Sequence, residues 1–281
     1  IKKHELTVER YERLLADYLE QTRLDANPVL ITYPTVPKIE SIISSAIQQP
    51  CLVDFVFVDQ SRHQLWAIHN PHDMELLVTA FKEIDTVYIA DGHHRIASMA
   101  KLSTQTYFTT VYMNTDEIKV LEFYRLVKDL GAFTTADFLD KVRLNFSVEL
   151  QDKAMKPAAL HEIGMYLDRQ WYKLTPKMEI LNEDDPVAVL DVSILQNFIL
   201  GPYLLINDPR MDARIKFEGG RLPLADLQKQ VDDGLFAVAF TLFPVSVQQI
   251  INVADAGGVM PPKSTWIEPK FLVGLVTNRF S

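Results

Sequence analysis

Apolar positions along the chain repeat at spacings that predict mixed helices and strands. Within residues 5–24, Tyr11, Leu14, Leu15, Tyr18 and Leu19 share one helical face. Residues 28–33 read as a strand, and Ile39, Ile42, Ile43, Ala46 and Ile47 give a second helix. Residues 52–59 are dense in Val and Phe, Ser61-Arg62-His63 supplies a turn, and residues 64–69 return as the hairpin partner. Leu76, Leu77, Ala80 and Phe81 place a helix over 72–84. A short apolar strand at 86–90 then runs through Asp91-Gly92 into a helix over 93–102, and a strand follows at 107–113.

The remainder predicts helices at 133–146, starting at Thr134 or Thr135, and at 158–169, with a long buried helix over 186–205. Strands are expected at 215–217 and 235–243, beside helices at 223–233 and 246–256. Gly234 and Gly257-Gly258 stand where helix C-caps belong. Polar, Pro-containing connections fall at 153–157 and 182–186, the second being the better boundary. This pattern gives an α+β (mixed α/β) fold in three stretches: 1–120, 121–185, and a C-terminal α/β part at 186–281. There is no internal repeat.

Composition narrows the classes. The 281 residues carry 28 Lys plus Arg against 37 Asp plus Glu, a formal charge of −9. Nucleic-acid coats and membrane-surface binders normally need a basic face, so neither nucleic acid nor membrane is an expected partner. No apolar run reaches the ~20 residues that span a bilayer. One cysteine, Cys51, rules out an internal disulfide framework and a cysteine-rich zinc site, and its place before an apolar strand marks it as core. The opening residues, with Lys2, Lys3 and Glu5, are too charged for a signal peptide, which fits a cytoplasmic protein. Ile1 in place of Met suggests trimmed upstream residues.

The chemistry concentrates at Asp91-Gly92-His93-His94-Arg95, where a buried strand turns into a helix. The first turn of a helix offers unpaired N–H groups and the positive end of its dipole to an anion. Gly92 permits close backbone approach, Arg95 carries a fork suited to phosphate, and Asp91 can hold Mg²⁺ or orient a histidine. The plainer reading makes Asp91 an N-cap and the histidines a solvated face; the compactness of the five favours a phosphate-bearing ligand. Adjacent histidines on a helix point ~100° apart and chelate poorly. His69 and His72 have ligand-like spacing but straddle a strand-to-helix junction with no third partner. A second cluster runs from Met260 to Lys270: its prolines stiffen a segment carrying Lys263, Ser264, Thr265 and Glu268, with a solvated surface strand as the alternative. No dinucleotide fingerprint, phosphate loop, zinc-protease motif or nucleophile elbow is present.

Ile89-Ala90-Asp91-Gly92-His93-His94-Arg95 and Val259-Met260-Pro261-Pro262-Lys263-Ser264-Thr265, with Pro269-Lys270 and Gly274-Leu275, resemble the two signatures of domain-of-unknown-function family 1015. Lys3-His4-Glu5, 190–195, 243–246 and 253–256 add supporting matches, so the resemblance spans the chain. Family members carry a further stretch upstream of K-H-E, and Gln196 stands where many have His. The D-G-H-H-R element also resembles the phosphate-binding turn of the ParB/sulfiredoxin superfamily, which includes the free-serine kinases.

That resemblance implies a ParB/sulfiredoxin-like core over 1–120 and phosphotransfer to L-serine or a similar small hydroxyl acceptor. ATP, ADP or pyrophosphate would be the donor, with Mg²⁺. Gly92, His93, His94, Arg95, Lys263, Ser264 and Thr265 would hold phosphoryl oxygens, and Asp91 the metal. Glu5, Asp91 and His94 would be catalytic, and His4, Glu268 and Lys270 would meet substrate. Glu5, Asp91 and Glu268 are the candidate bases, Glu5 being favoured because the metal claims Asp91. On this reading Arg95→Ala abolishes anion binding and leaves the fold intact, whereas an unfolded variant would mark a structural role. A nucleotide-binding regulatory module without turnover and a phosphatase remain open, as does a homodimer.

Overall fold

The computed structural model describes residues 1–102 and 107–279. It is a mixed α+β protein built on two principal sheets. In the smaller, Val29–Tyr33 is central, antiparallel to Tyr88–Asp91 and parallel to Thr110–Asn114. All five residues of Val29–Tyr33 are buried, as expected of a strand covered on both faces. Helices Pro37–Ala46 and Pro71–Lys82 accompany this sheet; each carries proline in its first turn, and Asn70 caps the second by accepting the His72 N–H.

The larger sheet is antiparallel throughout. Its order is Ile215–Gly219, Phe123–Val127, Val238–Leu242, Ile163–Leu167, Gln170–Pro176 and Phe146–Gln151. It draws strands from both sides of the polar connection at 182–186, so that connection is a loop within one sheet. Thr134 caps helix Thr135–Asn145, and a Ser246–Gln249 capping box opens helix Val247–Asp255. One apolar cluster joins Leu30 and Ala90 of the small sheet to Val127, Ile163 and Phe240 of the large one. The two sheets therefore share a core.

The hairpin turn expected at 61–63 lies earlier, at 57–61, since Arg62–Leu65 already pairs with Val53–Val56, and two expected helices fail. The helix expected at 158–169 is the strand Ile163–Leu167, whose five residues are all buried and show no alternation to announce a strand. Gly164 is needed there, since a Cβ would overlap the Thr241 hydroxyl and the Met155 carbonyl. The long helix expected over 186–205 is instead a turn, the short helix Asp191–Leu195 and a wider π turn at Gln196–Leu200. The Gln196 amide donates to the Ile206 carbonyl at 2.7 Å, and the Gly201 N–H returns to the Gln196 carbonyl, so the chain folds back rather than continuing.

Candidate active site

Three distant stretches meet at the end of Tyr88–Asp91. Lys2 runs alongside that strand: its N–H donates to the Val87 carbonyl at 2.8 Å and its carbonyl accepts the Ile89 N–H at 2.9 Å. The chain then carries His4 and Glu5 over the site helix His93–Met99. The His4 carbonyl in turn accepts the Met260 N–H at 2.9 Å, which fastens the proline-rich segment to the same place. Backbone bonds thus bring K-H-E, D-G-H-H-R and P-P-K-S-T together.

Gly92 turns the strand into the helix with φ +100°, a left-handed conformation that favours glycine. His93 points inward and is 5% exposed. Its Nε2 faces the His4 N–H at 3.5 Å, which makes Nδ1 the protonated nitrogen, and Nδ1 lies 3.7 Å from Glu5 Oε2. His4 is 2% exposed, meets the His93 ring edge-on at 4.5 Å, and among the described residues neither ring nitrogen has a hydrogen-bond partner. Burial lowers His93 to about 3 and His4 to about 4, so both rings are neutral near pH 7. Burial also raises the Glu5 pKa; the Lys263 charge opposes that shift and the Asp91 charge adds to it. A half-buried carboxylate with a raised pKa, near a cation and a neutral imidazole N–H, suits a general base.

His94 accepts the Val8 N–H on Nε2 at 3.0 Å, and burial lowers its pKa. Lys263, exposed and at φ +55°, lies over the Phe123 ring at 5.5 Å. Ser264 is buried and its hydroxyl donates to the Pro261 carbonyl at 2.6 Å; Thr265 is half-buried beside it.

Arg95 differs from its expected role as an open fork. Nη1 donates to the Asn27 carbonyl and side chain and to the Pro28 carbonyl, and Nη2 donates to Asp91 Oδ2 at 2.6 Å. Lys270 reaches Asp91 Oδ1 at 3.2 Å. Both Asp91 oxygens are therefore taken by cations, and no group of three His, Cys, Asp or Glu side chains suited to a metal occurs among the described residues. The residues do not fit a protein-built Mg²⁺ centre at Asp91. Glu268 accepts from Trp266 Nε1 at 2.7 Å and pairs with Arg221 at 3.2 Å, and no bond joins it to Glu5 or Asp91 among the described residues.

Sequence reasoning missed Arg125, in the strand Phe123–Val127. Its guanidinium donates to the Phe123 carbonyl at 2.6 Å and to the Lys263 carbonyl at 3.1 Å. Its one sequence signal is a charge in the middle of the run Phe123-Tyr124-Arg125-Leu126-Val127. Glu12 was missed as well: it holds Lys101 at 2.7 Å and the Thr7 hydroxyl, tying helix Glu9–Thr22 to the segment after the site helix.

A family model described as "Protein of unknown function (DUF1015)" matches residues 1–193. No curated protein matches the chain. Among solved structures, a free serine kinase in complex with AMP is similar at TM-score 0.50 and 16% identity, covering 96% of this chain and 84% of that one. A variant of a free serine kinase with one glutamate replaced by glutamine, also with AMP, gives TM-score 0.51 at 16% identity, over 96% and 85%. A glutamate-to-alanine variant with ADP gives 0.50 at 16%, over 96% and 84%. These likenesses establish a shared fold. Among the described residues, no helix is long and apolar enough to cross a membrane.

Proposed function

The chain belongs to the DUF1015 family, and from its site we propose a phosphotransferase that moves a phosphoryl group from a nucleotide or pyrophosphate to a small hydroxyl acceptor such as L-serine. The observation that carries the proposal is the convergence on Glu5: His93 Nδ1 at 3.7 Å, with the Lys263 and Asp91 charges close enough to act on its pKa. Kinship in fold with a kinase whose structures hold AMP and ADP supports it. So does the D-G-H-H-R turn, which also suits a ParB/sulfiredoxin-like phosphate cradle.

In the proposed reaction the acceptor hydroxyl gives its proton to a Glu5 carboxylate oxygen as its own oxygen bonds to phosphorus. The bond from phosphorus to the bridging oxygen breaks, and its electron pair leaves with the donor's remaining phosphate. The N–H groups of the first helical turn, His94 and Lys263 bind the phosphoryl oxygens, Ser264 and Thr265 shape the loop that carries Lys263, and His4 lines the acceptor side. Such chemistry needs positioning and positive charge more than a covalent nucleophile.

Phosphorus NMR tests the reading: the protein is given L-serine with ATP, ADP or pyrophosphate in separate samples, in a buffer containing magnesium salt. An O-phosphoserine resonance with one donor is expected. Donor resonances that broaden without product would replace the proposal with a binding module, and orthophosphate alone would replace it with a hydrolase.

A further inference from the structure

Arg125 is 2% exposed and sits in the larger sheet opposite Phe217 on one side and Phe240 on the other. Its Cζ stands 5.5 Å from the centre of the Phe217 ring. Among the described residues no carboxylate pairs with it. Burial lowers its pKa to about 9, which still leaves it charged near pH 7. An unpaired cation in a sheet interior costs stability that an apolar side chain of the same length would not. The ring contact and the carbonyl bonds offset only part of that cost.

The bonds show what the residue does. One guanidinium nitrogen is fixed to its own strand through the Phe123 carbonyl, and the other reaches out of the sheet to the Lys263 carbonyl. Lys263 is the residue whose backbone takes the left-handed φ of +55°, a conformation that a side-chain-bearing residue rarely adopts unless its surroundings fix it. The same loop is held by the Met260 N–H bond to His4 and by the Ser264 hydroxyl on Pro261. Arg125 supplies a further anchor, at the point where the chain reverses to present the Lys263 ammonium.

We propose that Arg125 is a positioning residue for the phosphoryl clamp, holding the Lys263 carbonyl so that the Lys263 side chain is set toward Glu5 and His94. It rests on the phosphotransfer reading for its purpose, though not for its geometry. Arg125 is buried and its bond to the loop is at the Lys263 carbonyl, so it acts through the loop.

Arg125→Met and Arg125→Lys in the full chain test it with three readouts: thermal midpoint, hydrogen–deuterium exchange of the peptide spanning 260–266, and calorimetric binding of pyrophosphate and ADP. Arg125→Met is expected to keep or raise the midpoint, speed exchange in that peptide about 10- to 100-fold, and weaken pyrophosphate binding by a similar factor. Arg125→Lys, which keeps a donor, should fall between wild type and Arg125→Met. In a Lys263→Ala background, Arg125→Met should weaken binding no further. Unchanged exchange at 260–266 overturns the proposal, as do binding losses that simply add. If Arg125→Met does not fold, exchange in Arg125→Lys decides. If wild type binds neither pyrophosphate nor ADP, the phosphotransfer reading fails while exchange still judges Arg125.

Discussion

Gly92→Ala probes the turn on which the site is built. A left-handed alanine costs about 1–2 kcal/mol more than the glycine it replaces. A Cβ at Gly92 would also stand 2.9 Å from Arg95 Cζ, Nε and Nη2. Ordinarily the tip of an arginine swings aside cheaply, but this one is tied to Asn27, Pro28 and Asp91 and is only one-fifth exposed. Displacing it by enough to lose one charge-assisted bond adds about 1.5–3 kcal/mol. Gly234 is the internal control: its φ is +74° and a Cβ there meets nothing within 4 Å. Urea denaturation should therefore place Gly92→Ala about 2.5–5 kcal/mol below wild type and Gly234→Ala only about 1–2 kcal/mol below it. In an Arg95→Ala background the excess at Gly92 should vanish, and Arg95→Ala itself should lower stability, contrary to its sequence-based role as a free anion ligand. Equal costs at Gly92 and Gly234, or an excess that survives Arg95→Ala, would refute the account of a pinned guanidinium.

Three further outcomes follow from the same geometry. Glu5→Gln should cut phosphoserine formation about 10²–10⁴-fold while donor affinity by calorimetry stays unchanged, and the wild-type rate should fall on an acid limb above the usual carboxylate value of 4.5. His4 and His93 have folded pKa values below 6.5, so the unfolded chain binds their protons first as pH drops. Stability is then full above about 6.5 and falls toward about 4 and 3, by roughly 1.4 kcal/mol per pH unit for each histidine, less what Glu5 returns by binding its proton more readily when folded. Urea midpoints at several pH values should show this slope, and His93→Gln should flatten it. His161 is the opposite case: the Asp191 hydrogen bond, 2.9 Å from Nδ1, raises its pKa, so its contribution is present below 6.5 and lost as pH rises through the raised value. Asp191→Asn should erase that loss as pH rises above 6.5.

Elements bounded by strong local signals were legible in the sequence. The turn at Asp91-Gly92 was read directly, and the helices expected at 72–84 and 246–256 begin within a residue of their expected starts, where the structure shows Asn70 with Pro71 and a Ser246–Gln249 box setting the boundaries. The strand pair Ile163–Leu167 and Gln170–Pro176 was not legible. Its central member is buried on both faces, and a continuous apolar run carries no period to separate strand from helix. Asp168 and Arg169 turn the chain with φ values of +49° and +60°, although neither is a glycine that would mark the hairpin. The chain reversal after Asp191–Leu195 depends on Gln196 reaching Ile206, a bond no periodicity reveals.

The site shows the same division between residue type and residue bond. Motif spacing picked out Glu5, the 91–95 turn and Lys263, and the structure gathers them through bonds at Lys2, His4 and Met260. Spacing does not reveal which polar group each side chain spends itself on. Arg95 carries the fork a phosphate wants, yet its donors are consumed by Asn27, Pro28 and Asp91, so it stiffens the junction between the two strands flanking the turn. Asp91 carries the charge a metal wants, yet Arg95 and Lys270 hold both its oxygens, so it links the turn to the C-terminal segment. Lys263 is exposed, its ammonium rests on a phenyl ring and no ion pair holds it among the described residues, and a lysine whose backbone is fixed can deliver its charge to an incoming anion without first breaking an ion pair. Within the D-G-H-H-R turn, Arg95 and Asp91 thus spend their charges on structural bonds, which in the proposed reaction leaves phosphoryl contact to the backbone of the first helical turn and to His94. In the proposed reaction the cation offered to the phosphoryl group therefore comes from the opposite end of the chain, at Lys263.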